Sequence, residues 1–177
     1  LSEAEALRFL SFVQYETGDR SAAIASLSRA LDCFRVLGNQ IEEVGVLGYI
    51  AVVQHANGQY AAAAANQEQA LALHRELGDR YGEANALHWL GCAQQGYGDY
   101  AAATASQQRA LDLYRELGYR MGEANVLNRM GSLATAGGDF IAGVPGRRQG
   151  DRRPCSPRTR VGHSGPYRPA TRASTCA

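Results

Sequence analysis

Lysine is missing altogether. Among the 177 residues the basic side chains are 18 arginines, set against 17 acidic ones. A balance so close to neutral excludes a partner chosen by whole-chain electrostatics, such as bulk nucleic acid. Proline is absent from residues 1–140, and all five prolines fall in 141–177. The first segment is therefore free of the residue that most often breaks helices. No run of about 18 apolar residues occurs, which excludes a transmembrane helix. The four cysteines, Cys33, Cys92, Cys155 and Cys176, stand far apart with no CxxC spacing, so no zinc signature exists. There is no G-x-S-x-G elbow, no phosphate loop and no HExxH pair. The expectation is a chain that is not an enzyme and carries no cofactor and no metal. The N-terminus, Leu1-Ser2-Glu3-Ala4-Glu5, is acidic and helix-like, has no signal-peptide character and lacks a starting methionine. It reads as a piece of a longer protein, with a cytoplasmic location expected.

What is present is an internal repeat. Gly18, Gly58, Gly98 and Gly138 are 40 residues apart. Beside them stand Asp19, Gln59, Asp99 and Asp139, then Tyr60, Tyr100 and Phe140. Ala22, Ala62, Ala102 and Ala142 keep the same step, as do Leu7, Leu47, Leu87 and Leu127. Leu37-Gly38, Leu77-Gly78 and Leu117-Gly118 close each unit. No insertion interrupts the register over 140 residues, so the units are 1–40, 41–80, 81–120 and a partial 121–140.

Each unit reads as two helices. In the third, Ala84, Leu87, Leu90 and Ala93 share one face of a helix over about 82–97. Gly98 stops it by accepting a left-handed conformation, and Asp99 caps the next helix, over about 100–117. Ala103, Ala110, Leu111, Leu113 and Leu117 line the inner face of that second helix, and Gly118 ends it. A loop this short makes the pair antiparallel. Glycine inside a helix costs about 1 kcal/mol. Gly91 and Gly131 are therefore expected where two helix axes approach closely.

Leu87, Leu90-Gly91, Gly98-Asp99-Tyr100, Ala103 and Ala110 together resemble the tetratricopeptide repeat, as do Leu47, Ile50-Ala51, Gly58-Gln59-Tyr60, Ala63 and Ala70. The resemblance covers residues 1–140 and implies an all-α, right-handed superhelical solenoid of antiparallel helix pairs, about three and a half repeats long. Two departures stand out. The period is 40 residues against about 34 for the family, and the usual proline after the second helix is replaced by Arg-Glu-Leu-Gly at 75–78 and 115–118. Such long units are similar to those of kinesin light chains. The phrase Arg75-Glu76-Leu77-Gly78-Asp79-Arg80-Tyr81-Gly82-Glu83-Ala84, echoed at 115–124, resembles repeat regions of actinobacterial transcriptional regulators.

The pattern breaks in the fourth unit. After Gly138-Asp139-Phe140 the second helix is replaced by Pro- and Gly-containing text, and residues 141–177 carry eight arginines and one acid. Residues 1–140 carry 16 acids and 10 arginines. The tail is expected to be disordered. Three readings stay open: a basic tail that binds nucleic acid or acidic surfaces, a neutral linker, or a stretch read out of frame. In each case Val126, Leu127 and Met130 of the last helix are expected to be partly exposed, which would invite fraying or self-association.

The family resemblance further implies a concave face lined by the first helix of each unit, binding a protein or peptide partner. The positions it implies include Glu5, Arg8, Phe12 and Tyr15, then Gly45, Gly48, Val52 and His55. Asn85, His88, Cys92 and Gln95 follow in the third unit, and Asn125 and Asn128 in the fourth. The candidates that carry the binding chemistry are Arg8, Tyr15, His55, Asn85, His88, Gln95, Asn125 and Asn128. Asn and Gln amides suit such a groove because each pairs with both N–H and C=O of a peptide backbone. Gly45 and Gly48 leave room for a bulky ligand side chain. Trp89 is expected to fill a groove between helices.

Overall fold

The computed structural model describes residues 2–136, with side chains through residue 134. The expectations for the tail at 141–177 lie outside the described residues. Among those described there is no strand, and seven helices follow one another. They are α1 (Glu3–Glu16), α2 (Arg20–Val36), α3 (Gln40–Ala56), α4 (Tyr60–Glu76), α5 (Arg80–Gly96), α6 (Tyr100–Glu116) and α7 (Arg120–Ala136).

Six tight turns make this order. Gly18, Gly38, Gly58, Gly78, Gly98 and Gly118 all have positive φ, between 65° and 91°. They recur every 20 residues, so the turn within a pair and the turn between pairs are the same device. At Gly98 the glycine N–H donates to the Gln95 carbonyl at 3.1 Å and the Asp99 N–H to that of Gln94 at 2.9 Å. This satisfies the last carbonyls of α5. Asp99 then accepts from the Ala102 N–H at 3.0 Å and opens α6. Asp19, Asn39 and Asp79 cap α2, α3 and α5 likewise, but Gln59 makes no cap bond to α4.

The observed α5 starts two residues before the expected 82, because Asp79 is its cap. Leu117, expected on the inner face of α6, is instead the helix-ending residue and is exposed. Ala103, Ala110, Leu111 and Leu113 are buried as expected.

Packing repeats with the sequence. The first and second helices of each pair are clamped by a side-chain hydrogen bond just inside the turn. Ser26 donates to Gln14 at 2.8 Å, Asn66 to Gln54 at 2.7 Å and Ser106 to Gln94 at 2.7 Å. Consecutive pairs are tied by Arg35–Glu43 at 2.9 Å, Arg75–Glu83 at 2.8 Å and, more loosely, Arg115–Glu123 at 4.0 Å. Between these ties the core is aliphatic, with Leu27, Leu47, Val53 and Val126 fully enclosed. Burying each such side chain contributes about 1.5–3 kcal/mol.

One expectation is corrected. Val126 is not exposed; it is 0% accessible and packs with the third repeat's core. It stands at the position of Val46 and Ala86, which are also buried. Leu127 occupies the position of the buried Leu47 and Leu87 and is 49% exposed, and Met130 is partly buried. The close approach at Gly91 is present, since a Cβ there would lie 2.7 Å from Gln107 Nε2. At Gly131 no described atom would lie within 4 Å of a Cβ, and the position that would face it in the register of Gln107, residue 147, lies outside the described residues.

Neighbouring helices account for most of the packing, which is the geometry of a solenoid of helix pairs. First helices of successive pairs also meet directly, α3 with α5 and α5 with α7, more closely than the second helices do. The first helices therefore sit on the inner, concave side.

Candidate peptide-binding groove

The concave side opens into a cleft of about 320 Å³ between α3 and α5, with α4 as its floor. Its α3 wall contains Gly45, Gly48, Tyr49 and Val52, and its α5 wall contains Asn85 and Trp89. Gln67 and His74 rise from α4. The two glycines create the space. A Cβ at either one would meet no atom within 4 Å. A second depression, about 460 Å³ between α1 and α3, shares Gly45 and Tyr49 with the first and is lined also by Arg8, Phe9 and Phe12. The two run together along the first helices.

Polar groups inside the cleft are in unequal states. The Tyr49 hydroxyl is buried and has no hydrogen-bond partner among the described residues. Burial raises its pKa, with Tyr15 and Glu16 adding to the shift. His74 Nδ1 lies 3.0 Å from Asp79 Oδ2, while the other carboxylate oxygen caps α5 through the Gly82 N–H at 2.9 Å. The His74 contact lacks hydrogen-bond alignment, so it is a close polar contact and not a formed bond. Gly82 makes room for this contact: an added Cβ would meet the His74 ring at 2.0 Å, so the ring would have to move.

One repeat further on, the same face is filled. His88 Nδ1 lies 2.9 Å from Gln107 Oε1, and Gln107 Nε2 donates to the His88 carbonyl at 3.0 Å. Gln107 is completely buried beneath Gly91, with Cys92 Sγ 3.7 Å from its amide nitrogen. Burial lowers the His88 pKa against the opposing Gln107 bond, and raises that of Cys92. His55 is likewise lowered by burial. The two histidines flank Trp89, their ring centroids 6.1 Å and 5.7 Å from its own. Trp89 thus separates them and also lines the cleft. Among the described residues no group of three or more His, Cys, Asp or Glu side chains gathers as metal ligands would.

Of the eight candidate residues, Asn85 lines the cleft. Arg8 lines the neighbouring depression, but its guanidinium is paired with Glu42 at 2.9 Å. Tyr15 stands edge-on to Tyr49, ring centroids 6.2 Å apart. His55 stacks edge-on with Tyr60 and Trp89, and His88 is held by Gln107. Gln95 is half-buried, with a buried Oε1 that has no partner among the described residues. Asn125 and Asn128 are exposed on α7 and are absent from the cleft's lining. Sequence reasoning missed Tyr49, Gln67 and Gln107. The available signal was a polar residue at 67 and 107, where the register carries Leu27 in the first unit.

Residues 43–116 match the family model of the tetratricopeptide repeat. No curated protein matches the chain. Among solved structures, the apo form of RapI is similar over 78% of this chain and 50% of its own, with a TM-score of 0.71 and 16% identity. A Rap protein complexed with competence and sporulation factor is similar over 77% of this chain and 38% of its own, with a TM-score of 0.67 and 20% identity. The N-terminal domain of stress-induced protein-1 from C. elegans is similar over 73% of this chain and 93% of its own, with a TM-score of 0.60 and 20% identity. The chain thus spans half or less of the length of the two Rap proteins. Repeat register, helix pairing and the matched segment agree: residues 43–116 match the tetratricopeptide repeat, and the described helices share the fold of a solenoid of such helix pairs.

Proposed function

We propose that this chain is an interaction module that binds a peptide or an extended segment of a partner protein along the concave face, with the α3–α5 cleft as its principal contact. The observation that carries this is the combination in one cleft of open space over Gly45 and Gly48 with polar groups that lack partners. Unpaired buried polar groups are costly, and a ligand that pairs them recovers that cost. Asn85 at the rim has an amide able to pair with both sides of a peptide bond. The similarity of the fold to a Rap protein in complex with competence and sporulation factor supports the reading. The same proposal places the chain within a larger regulatory protein of the bacterial cytoplasm. No helix among the described residues is long and apolar enough to cross a membrane.

Selection of peptides on the full chain, followed by binding measurements, tests the proposal. Selected peptides should lose at least tenfold in affinity with Asn85→Ala or Trp89→Ala. They should be unaffected by Arg29→Ala, whose guanidinium pairs with Glu3 outside the cleft. Selected peptides indifferent to both cleft substitutions would overturn it.

A further inference from the structure

The second and third repeats differ at one pair of positions in a way that describes a ligand. In the third, the His88 imidazole and the Gln107 amide complete each other at 2.9 Å. Forty residues earlier the same positions hold Gly48 and Gln67. Gln67 is 3% exposed, yet its amide makes no side-chain hydrogen bond among the described residues, and it lines the cleft. Helix α4 thus presents the receiving amide to the cleft while α3 omits the ring that would pair with it. In the first repeat the mismatch does not arise, because Leu27 replaces the glutamine and Arg8 pairs with Glu42.

Resting on the reading of the cleft as a peptide site, we propose that it is a socket for the imidazole ring of a histidine in the partner peptide. That ring takes the place over Gly48 that His88 occupies in the next repeat and pairs with the Gln67 amide. The chemistry of the cleft selects among alternatives. A purely apolar side chain would leave the Tyr49 hydroxyl unpaired and would cover the Gln67 amide without bonding it. A carboxylate would meet the Asp79 carboxylate at the rim, with no arginine among the lining residues. A flat ring with a donor and an acceptor on its edge satisfies the amide and presents a face or edge to Trp89. The cleft volume exceeds that of one ring, and the remainder accommodates the adjoining peptide backbone beside Asn85.

The test uses 4-methylimidazole as the probe, on the full chain, at a pH where the probe is neutral. Trp89 is the only tryptophan and lines the cleft, so its fluorescence reports occupancy, and the Gln67 side-chain amide resonances report the contact. The wild-type protein should show a saturable fluorescence change together with a shift of the Gln67 amide. Gly48→His should abolish both while melting at a higher temperature, because it fills the space and replaces a helix-interior glycine with open room around its Cβ. Gln67→Leu, which copies the residue the fold already carries at Leu27, should weaken binding at least tenfold. The proposal fails if the response is not saturable, if all three proteins respond alike, or if toluene binds as tightly as 4-methylimidazole. Selected peptides that depend on Asn85 but lack histidine and tolerate Gly48→His would sink the imidazole socket and leave the peptide-groove reading standing.

Discussion

Glycine carries opposite meanings at single positions of this chain, and the difference is measurable. Gly91 faces Gln107, whose side chain is buried and already bonded to His88, so it has little freedom to yield to an added methyl. Gly91→Ala should destabilise by about 1–3 kcal/mol through overpacking. Gly45 lies in α3 with nothing near its missing Cβ. Gly45→Ala should stabilise by up to about 1 kcal/mol. Urea unfolding of the two variants should therefore move in opposite directions. Titration provides a second prediction at this scale. His55 and His88 have pKa values held below the ordinary imidazole value of 6.5, chiefly by burial. Below that value the unfolded chain takes up protons that the folded chain refuses. Stability should thus be full above it and fall as pH drops through it toward the lowered native values. His88→Gln removes one of these titrations while keeping a partner for Gln107. Its melting temperature should depend less on pH between about 7 and 5 than that of the wild type.

At the scale of the helix, the caps differ where the sequence differs. Asp19, Asn39, Asp79 and Asp99 close their helix N-termini with a side-chain oxygen. Gln59, one methylene longer than asparagine, makes no such bond. Gln59→Asp should add about 0.5–1 kcal/mol, and Asp99→Ala should remove about 1 kcal/mol, both read from denaturant midpoints. The turns and caps were legible in the sequence because they depend on local backbone chemistry: a glycine that tolerates positive φ, followed by a short polar side chain. The clamps Gln14–Ser26, Gln54–Asn66 and Gln94–Ser106 were not legible. Each joins residues 12 apart on two different helices, a pairing that exists only once the helices have packed.

For the whole molecule, stability should decline from the middle of the solenoid outward, because inner helices are covered from both sides. At one end, Leu10 and Val13 are exposed although their counterparts Ile50, Val53, Leu90 and Ala93 are buried. At the other end Leu127 is exposed where Leu47 and Leu87 are buried. Amide hydrogen exchange should find α5 the most protected helix, with α1 and α7 exchanging faster; equal protection of α7 and α5 in a monomer would contradict this. Val126, enclosed by the third repeat, should keep the inner face of α7 attached even while its far side opens.

The linear pattern by itself determined the period, the helix pairs, their turns and most of the core. All of these follow from side chains recurring at a constant interval along the backbone. Tertiary structure alone decided which polar side chains are already paired and which line the cleft. His88 and Gln107, 19 residues apart, bond across a helix pair, while Gly48 and Gln67 at the same spacing leave a vacancy. Arg8 was committed to Glu42 of the next repeat, 34 residues away. Hydrogen-bond partners that meet only across packed helices leave no periodic trace, so one-dimensional spacing could propose candidates for the groove but could not tell an occupied amide from an empty one.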